Sequence, residues 1–263
     1  MTWIAALPMY NVTPALDFEW RAWLVEVLRR VKPACRIVEP DEELHGFWRR
    51  PNLLLSQTCG YPLMHGLHEQ VRLIATPCFD APGCEEAHYA SVLVTRADAQ
   101  FDTLAACRGA RAAYNQDDSN SGMNVFRHAV APLARAGMFF STVLRTGSHL
   151  GSLRAIADDR ADVAAVDCVT FAFVNDVMPE LARRVRAIGM TAASPGLPLI
   201  ASGTVPPATI EALREALNET LEVRPDRAKR LRLQGFSVLP LTDYERIGQL
   251  ENEARAAGYA RLA

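Results

Sequence analysis

The stretch "ARAAYNQDDSNSGMNVFRHAV", residues 110–130, decides the fold class. A short apolar run ends at Asn115, a polar turn-forming cluster follows to Gly122, and a helical pattern begins at Met123. An apolar strand emptying through a turn into a helix is the repeating joint of an α/β protein. The joint also has chemistry. The first turn of a helix carries N–H groups without intrahelical partners and a partial positive charge. Such a turn is therefore either a plain cap or a cradle for an anion. Asp117 and Asp118 complicate the second reading, because an acid beside an anion costs affinity unless it faces solvent or meets a cation.

The same alternation extends in both directions. Upstream, "WIAAL" (3–7), "CRIVEP", "NLLLSQ" and "VRLIATP" read as buried strands. Between them lie a helix over 17–31 with Leu24, Val27, Leu28 and Val31 on one face, the short helix "DEELHGFWRR", and a loosely helical "PLMHGLHEQ". "YASVLVTR" (89–96) is a strand rich in β-branched residues. Downstream, the helix from Met123 runs to about Ala136, and "FFSTVLRTG" (139–147) is a strand. "SHLGSLRAIADD" is a helix opened by Ser148, with Leu150, Leu153, Ile156 and Ala157 on one face. "ADVAAVDCVT" is a strand running into a helix near 169–177, and "RVRAIGMT" is one more strand. A Pro-started helix spans 206–222 with Ile210, Leu213, Leu217 and Leu221 on one side. A Thr-x-x-Glu capping box at Thr242 and Glu245 opens the last helix.

Two α/β blocks and a helical tail suggest two lobes. Residues 1–90 with 193–263 form lobe one, 91–192 form lobe two, and extended crossings near 89–96 and 186–193 join them; a single doubly wound sheet fits the same pattern. Each lobe is expected to hold a mostly parallel sheet flanked by helices.

Composition narrows the function. Apolar residues make up 49% of the 263 and charged residues 22%, with a net charge of −2. That is ordinary globular composition. No basic run appears, so no nucleic-acid partner is expected. No apolar run approaches the ~20 residues of a membrane span, so no insertion is expected. "MTWIAALPMYNVTPALDFEW" lacks a basic n-region and breaks at Pro8, so it does not read as a secretory signal. The chain as written is either cytoplasmic or a mature segment with its leader removed. Six cysteines are scattered without a C-x-x-C. They are free thiols in a reducing compartment, or Cys78 and Cys84, flanking "FDAPG", bridge in an exported chain.

Ligands in open α/β sheets sit at the carboxyl ends of strands, where helices start. Three such places are polar: Asn115–Gly122 with Ser119 and Ser121, Thr146–His149 with Ser148, and Asp167–Thr170. Hydroxyls donate to an anion, Gly122 permits close backbone approach, and Asp167 would pair with a cationic group. Each is also a plausible structural cap. Catalytic signals are weak: no G-x-S-x-G, Walker loop, dinucleotide glycine fingerprint or H-E-x-x-H occurs. Cys59 with His65 suggests a thiol nucleophile only if a base is positioned beside it. His65 and His68 lack a third metal ligand, so neither metal nor cofactor is expected.

"YASVLVTRADAQFDTLAACRGARAAYNQDDSNSGMNVFRHAVAPL" and "TGSHLGSLRAIADDRADVAAVDCVT" resemble successive motifs of the phosphonate-type substrate-binding proteins of ABC importers. The resemblance covers about 85–200 and continues more loosely through "NLLLSQTCGYPL". It implies a type II periplasmic-binding-protein fold and a small-molecule binder, not an enzyme, that closes an interlobe cleft on an anionic or zwitterionic ligand, with an ABC permease as possible partner. By position it implies an anion cradle of Ser119, Ser121, Gly122, Ser148 and His149, with Asp167 facing an amino end. Tyr114, Asn115, Tyr10, Gln57, Thr58 and Tyr89 would line the cleft. The family is normally exported, whereas the stretch from residue 1 does not read as a secretory signal. The alternatives are an enzyme on the same scaffold, such as a pyrimidine-precursor synthase in which Cys59 or His149 acts, or a ligand-sensing module.

Overall fold

Strands and helices alternate through most of the chain because short β-branched or small apolar runs are separated by amphipathic stretches. The computed structural model describes residues 2–40 and 43–263. Asp41 and Glu42, the first residues of the expected helix "DEELHGFWRR", lie outside them; the described helix there is Leu44–Trp48. In chain order the elements begin β1 (Trp3–Ala6), α1 (Pro14–Val31), β2 (Cys35–Ile37), α2 (Leu44–Trp48), β3 (Leu53–Gln57), α3 (Gly60–Met64) and β4 (Val71–Phe79). They continue with β5 (Cys84–Glu85), β6 (His88–Tyr89), β7 (Ser91–Arg96), β8 (Arg111–Tyr114), α4 (Val125–Val130), β9 (Thr142–Arg145), α5 (His149–Ala157) and β10 (Val163–Asp167). The last are α6 (Cys168–Val177), α7 (Pro179–Ala182), β11 (Val185–Met190), β12 (Ser194–Pro195), β13 (Leu199–Ser202), α8 (Pro207–Val223), α9 (Pro225–Arg230), β14 (Leu233–Ser237) and α10 (Leu241–Ala256).

The chain divides into two units. The first is Met1–Asp80, Glu85–Ala87 and Pro195–Asp243; the second is Ala81–Cys84, His88–Ser194 and Tyr244–Ala263. The first unit holds a sheet of order β14-β4-β13-β3-β1-β2. Its β1 pairs in parallel with β2 and β3, while β13 and β14 run antiparallel to their neighbours. Thr13 caps α1 by accepting from Leu16 N–H, and α1 buries Leu16, Trp20, Trp23, Leu24, Val27 and Leu28. Trp20 and Trp23 set their rings against Phe79 and Phe236.

The second unit holds a sheet of order β11-β7-β10-β8-β9. β8 lies between β10 and β9 and is parallel to both, whereas β7 is antiparallel to β10 and β11. The α/β class therefore holds with mixed sheets. Strands β7 and β11, at the positions expected as crossings, pair within this unit's sheet. One core layer joins Leu93, Ala112, Val163 and Ala165 of the strands to Phe126, Val130, Phe139 and Phe140. Ala254 and Tyr259 complete it.

That last contact corrects the expectation that all of 193–263 belongs with the first lobe. The tail from Tyr244 joins the second unit, because α10 buries Tyr244, Ile247, Leu250 and Ala254 and Tyr259 enters that core. The expected capping box also fails. The helix already begins at Leu241, so Thr242 sits inside the first turn and not at the cap. No helix among the described residues is long and apolar enough to cross a membrane.

Candidate functional site

Three parallel strands bring the three polar joints side by side. Since β10, β8 and β9 are neighbours running in one direction, their carboxyl ends share one edge of the sheet. The register pairs Tyr114 with Arg145, so the chain leaves β8 and β9 at the same level. Asn115–Gly122 follows β8, Thr146–His149 follows β9, and Asp167 ends β10.

Each joint opens a helical segment whose first turn is capped by a side chain. Ser119 Oγ accepts from Gly122 N–H at 3.0 Å, Ser148 Oγ from Gly151 N–H at 2.9 Å, and Asp167 Oδ1 from Thr170 N–H at 2.8 Å. Capping uses a lone pair of each serine and leaves its O–H as a donor. The first of these segments is not α-helical. In Asn120–Asn124 the Asn124 N–H reaches back to Ser119 O at 3.0 Å, one residue further than in an α-helix. Such wide turns are frequent at functional sites because they re-aim side chains. Here Ser121 is turned toward the β9 joint, and its Oγ shares a hydrogen bond of 2.8 Å with His149 Nε2.

His149 is the meeting point. Its Nε2 also lies 3.4 Å from Asp167 Oδ2, and Asp167 is 2% exposed. Burial pushes the ring's pKa below the ordinary histidine value; the Asp167 carboxylate and the Ala165 backbone pull the other way without overcoming it. Nδ1 has no hydrogen bond of good geometry among the described residues. The pH consequence follows. A ring with a depressed folded pKa is fully compatible with the fold above its unfolded value of about 6.5. As pH falls through that value the unfolded chain takes up a proton that the folded one resists, and stability declines. Urea unfolding of His149→Gln, measured from pH 7.5 to 5, should show a shallower decline than the wild type. Parallel curves would remove His149 as the cause.

Asn115 and Gly122 close the cluster from one side. A Cβ added at Gly122 would stand 1.9 Å from Asn115 Oδ1 and 3.1 Å from His149 Cε1, so this glycine is required for space. Tyr114 points elsewhere: its hydroxyl donates to Asp117 Oδ1 at 2.6 Å, and Arg145 donates to Asp117 Oδ2 at 2.9 Å. Burial, then the Asp117 carboxylate, pushes the Tyr114 hydroxyl up to about 12. Asp117, the acid that complicated the cradle, is thus engaged by a phenol and a guanidinium, which hold its carboxyl below the usual range despite partial burial.

Behind the turn runs a buried polar chain that the sequence reading did not find. Asn120 Nδ2 donates to Ser194 Oγ at 2.8 Å, Asn124 Nδ2 to Asn120 Oδ1 at 3.1 Å, and Arg127 Nη2 to Asn124 Oδ1 at 2.7 Å. Arg127 then meets Glu251 at 3.5 Å, and Arg255 meets the same carboxylate oxygen at 2.7 Å. One signal was available: Glu251 shares the stripe of Ile247, Leu250 and Ala254, where an acid needs a buried partner.

In the second unit Tyr89 is buried on β6. In the first unit Gln57 Nε2 donates to Leu197 O at 3.1 Å, Thr58 N–H donates to Pro198 O at 3.0 Å, and Tyr10 sets its ring edge-on 5.3 Å from Phe79. The ring nitrogens His65 Nδ1 and His68 Nδ1 pair with backbone carbonyls, and no group of three metal-ligating side chains occurs among the described residues.

Two units of mixed sheet flanked by helices give the α/β fold of the type II periplasmic binding proteins. The chain belongs to the family described as "ABC transporter, phosphonate, periplasmic substrate-binding protein", whose sequence model matches residues 52–244. The fold is similar to a binding protein component of an ABC phosphonate transporter from Pseudomonas aeruginosa, with TM-score 0.80, 18% identity, and 98% of this chain and 87% of that chain covered. It is equally similar to PhnD1 from Prochlorococcus marinus in complex with methylphosphonate, with TM-score 0.80, 13% identity, and 97% and 98% covered. A Xanthomonas citri protein bound to chloride ion matches with TM-score 0.69, 17% identity, and 98% of both chains covered. No curated protein sequence matches the chain.

Proposed function

We propose that this protein binds a small phosphonate- or phosphate-like anion as the substrate-binding component of an ABC importer, and that it carries out no chemistry on it. The observation that carries this reading is the cluster of Ser121, His149 and Asp167 at three adjacent strand ends, flanked by the capping hydroxyls of Ser119 and Ser148. Hydroxyl donors and helix N-termini at one sheet edge suit a tetrahedral oxyanion. Relatives of the same fold hold methylphosphonate and chloride, which supports an anion. Asp167 adds a buried negative charge, so a ligand that also carries an amino group gains an ion pair there.

The geometry argues against a hydrolase triad. In such a triad the acid holds Nδ1 of the histidine while the serine faces Nε2. Here Ser121 Oγ and Asp167 Oδ2 both approach Nε2, so the acid cannot orient the ring for proton abstraction from the serine.

Titration calorimetry with methylphosphonate, 2-aminoethylphosphonate and inorganic phosphate tests the reading. At least one should bind with a Kd in the micromolar range or tighter, and Ser121→Ala should weaken it about tenfold or more, the equivalent of one charged hydrogen bond. Absence of heat with all three probes sinks the ligand class, and release of phosphate from any of them sinks the non-catalytic reading.

A further inference from the structure

We propose that Cys84 and Cys168 form a reversible disulfide that locks the backbone beside the strand end carrying Asp167. The two Sγ atoms lie 3.4 Å apart, and a disulfide needs about 2 Å, a difference that small side-chain rotations can close. A left-handed glycine and three backbone hydrogen bonds fix the pair. Gly83 takes a left-handed φ of +100°, and a Cβ there would stand 3.1 Å from Cys168 Cβ and 2.3 Å from Met190 Cε, so only glycine brings this loop so close. Ala90 N–H donates to Gly83 O at 2.9 Å, and Cys168 N–H donates to Ala90 O at 3.2 Å. Cys84 N–H donates to Ala81 O at 2.9 Å, which closes the turn.

The two thiols differ in access. Cys84 is partly exposed, whereas Cys168 is 1% exposed as the first residue of α6. The neighbouring Cys84 thiol and burial both hold Cys168 protonated. Cys84 is therefore the entry point. Its thiolate attacks one sulfur of an external disulfide, such as oxidised glutathione or a thiol–disulfide oxidoreductase, and expels one thiolate. Cys168 then gives up its proton and attacks Cys84 Sγ of the mixed disulfide, expelling the second thiolate. Two protein thiols are oxidised and one external disulfide is reduced to two thiols. The partner expected from sequence spacing was Cys78, but Cys78 Sγ lies instead 3.3 Å from Ser237 Oγ, and Cys84 faces Cys168. The crosslink would span 84 positions of sequence and fix the residue next to Asp167.

Incubating the whole protein with oxidised glutathione, blocking free thiols and mapping peptides without reduction tests this. The expected product links the Cys84 peptide to the Cys168 peptide, lowers the reactive thiols from six to four, and raises the unfolding temperature relative to reduced protein. Cys78→Ser should retain the link, and Cys84→Ser should abolish it. The proposal is overturned if wild-type Cys84 stops at the glutathione adduct, links to another cysteine, or remains blockable together with Cys168. The mapping needs no ligand, so it stands independently of the binding experiment.

Discussion

Replacing Glu251 with alanine should lower the stability of the protein by about 3–5 kcal/mol, the usual cost of stripping one partner from a buried ion pair. The Glu251 side chain is 5% exposed and Arg127 is 4% exposed, so neither charge has water to fall back on. Without Glu251, the Arg127 guanidinium would keep Asn124 Oδ1 at 2.7 Å and Ala260 O at 2.9 Å, which are acceptors but leave its charge unopposed. Its Nε already has no hydrogen-bond partner among the described residues. A loss of this size is a large part of the ~5–15 kcal/mol that holds a typical domain together. Urea unfolding measures it. The companion variant Arg127→Met with Glu251→Leu separates charge from packing. With both charges gone, most of the lost stability should return. An unchanged midpoint in Glu251→Ala, or a double variant as weak as the single, would show that the pair is not what holds this layer. Affinity offers a second readout. Arg127 is tied through Asn124 to Asn120, and Asn120 begins the wide turn that presents Ser121. Loosening this chain should therefore weaken ligand binding as well.

That chain also marks what could and could not be read from the sequence. The joints after β8, β9 and β10 were legible because the residues that suit a cap, serine and aspartate before a helix, also suit a ligand. Their convergence was not, since nothing in the sequence says that three strands are neighbours in one sheet. The buried strands of the second unit stood out as β-branched or small apolar runs. Strands β13 and β14 did not, because Pro198 and Gly203 bracket one and Gly235 interrupts the other. α10 was legible as a helix, but an amphipathic stripe does not name the surface it covers, so its tail was assigned to the wrong unit. Asn120 falls in the polar turn cluster and Asn124 and Arg127 in the helix after it, where residues of these types are mostly exposed. They are buried because each finds its partner on another segment, a property of pairs of residues far apart in sequence. Asp117 was legible as a difficulty only. Its resolution depends on the parallel register that sets Arg145 opposite Tyr114.

Gly122→Ala should damage the site more than its size suggests. The residue lies in the wide turn with ordinary backbone angles, so the methyl group meets no conformational penalty; its cost is entirely steric. Asn115 Oδ1 and Cγ would stand 1.9 and 2.6 Å from the new carbon, and His149 Cε1 3.1 Å. Asn115 must rotate away or the turn must rise, and either movement disturbs the Ser121–His149 contact of 2.8 Å. Overpacking of this kind costs about 1–3 kcal/mol in stability. If binding follows the reading proposed above, the affinity for the anion that binds the wild type should fall about 10–100-fold, as the serine and the ring lose their common geometry. Gly248→Ala is the control: it lies in α10 with no atom near its would-be Cβ among the described residues, and there alanine should stabilise by a few tenths to about 1 kcal/mol. The steric cause can be isolated by a double-mutant cycle. In an Asn115→Ala background the methyl group at 122 has room, so the stability cost of Gly122→Ala should shrink by about 0.5–3 kcal/mol, a coupling typical of residues in contact. If Gly122→Ala costs the same in both backgrounds, the clash with Asn115 is not its cause. If it costs nothing in either stability or affinity, the turn is not the rigid wall of the site that this geometry describes.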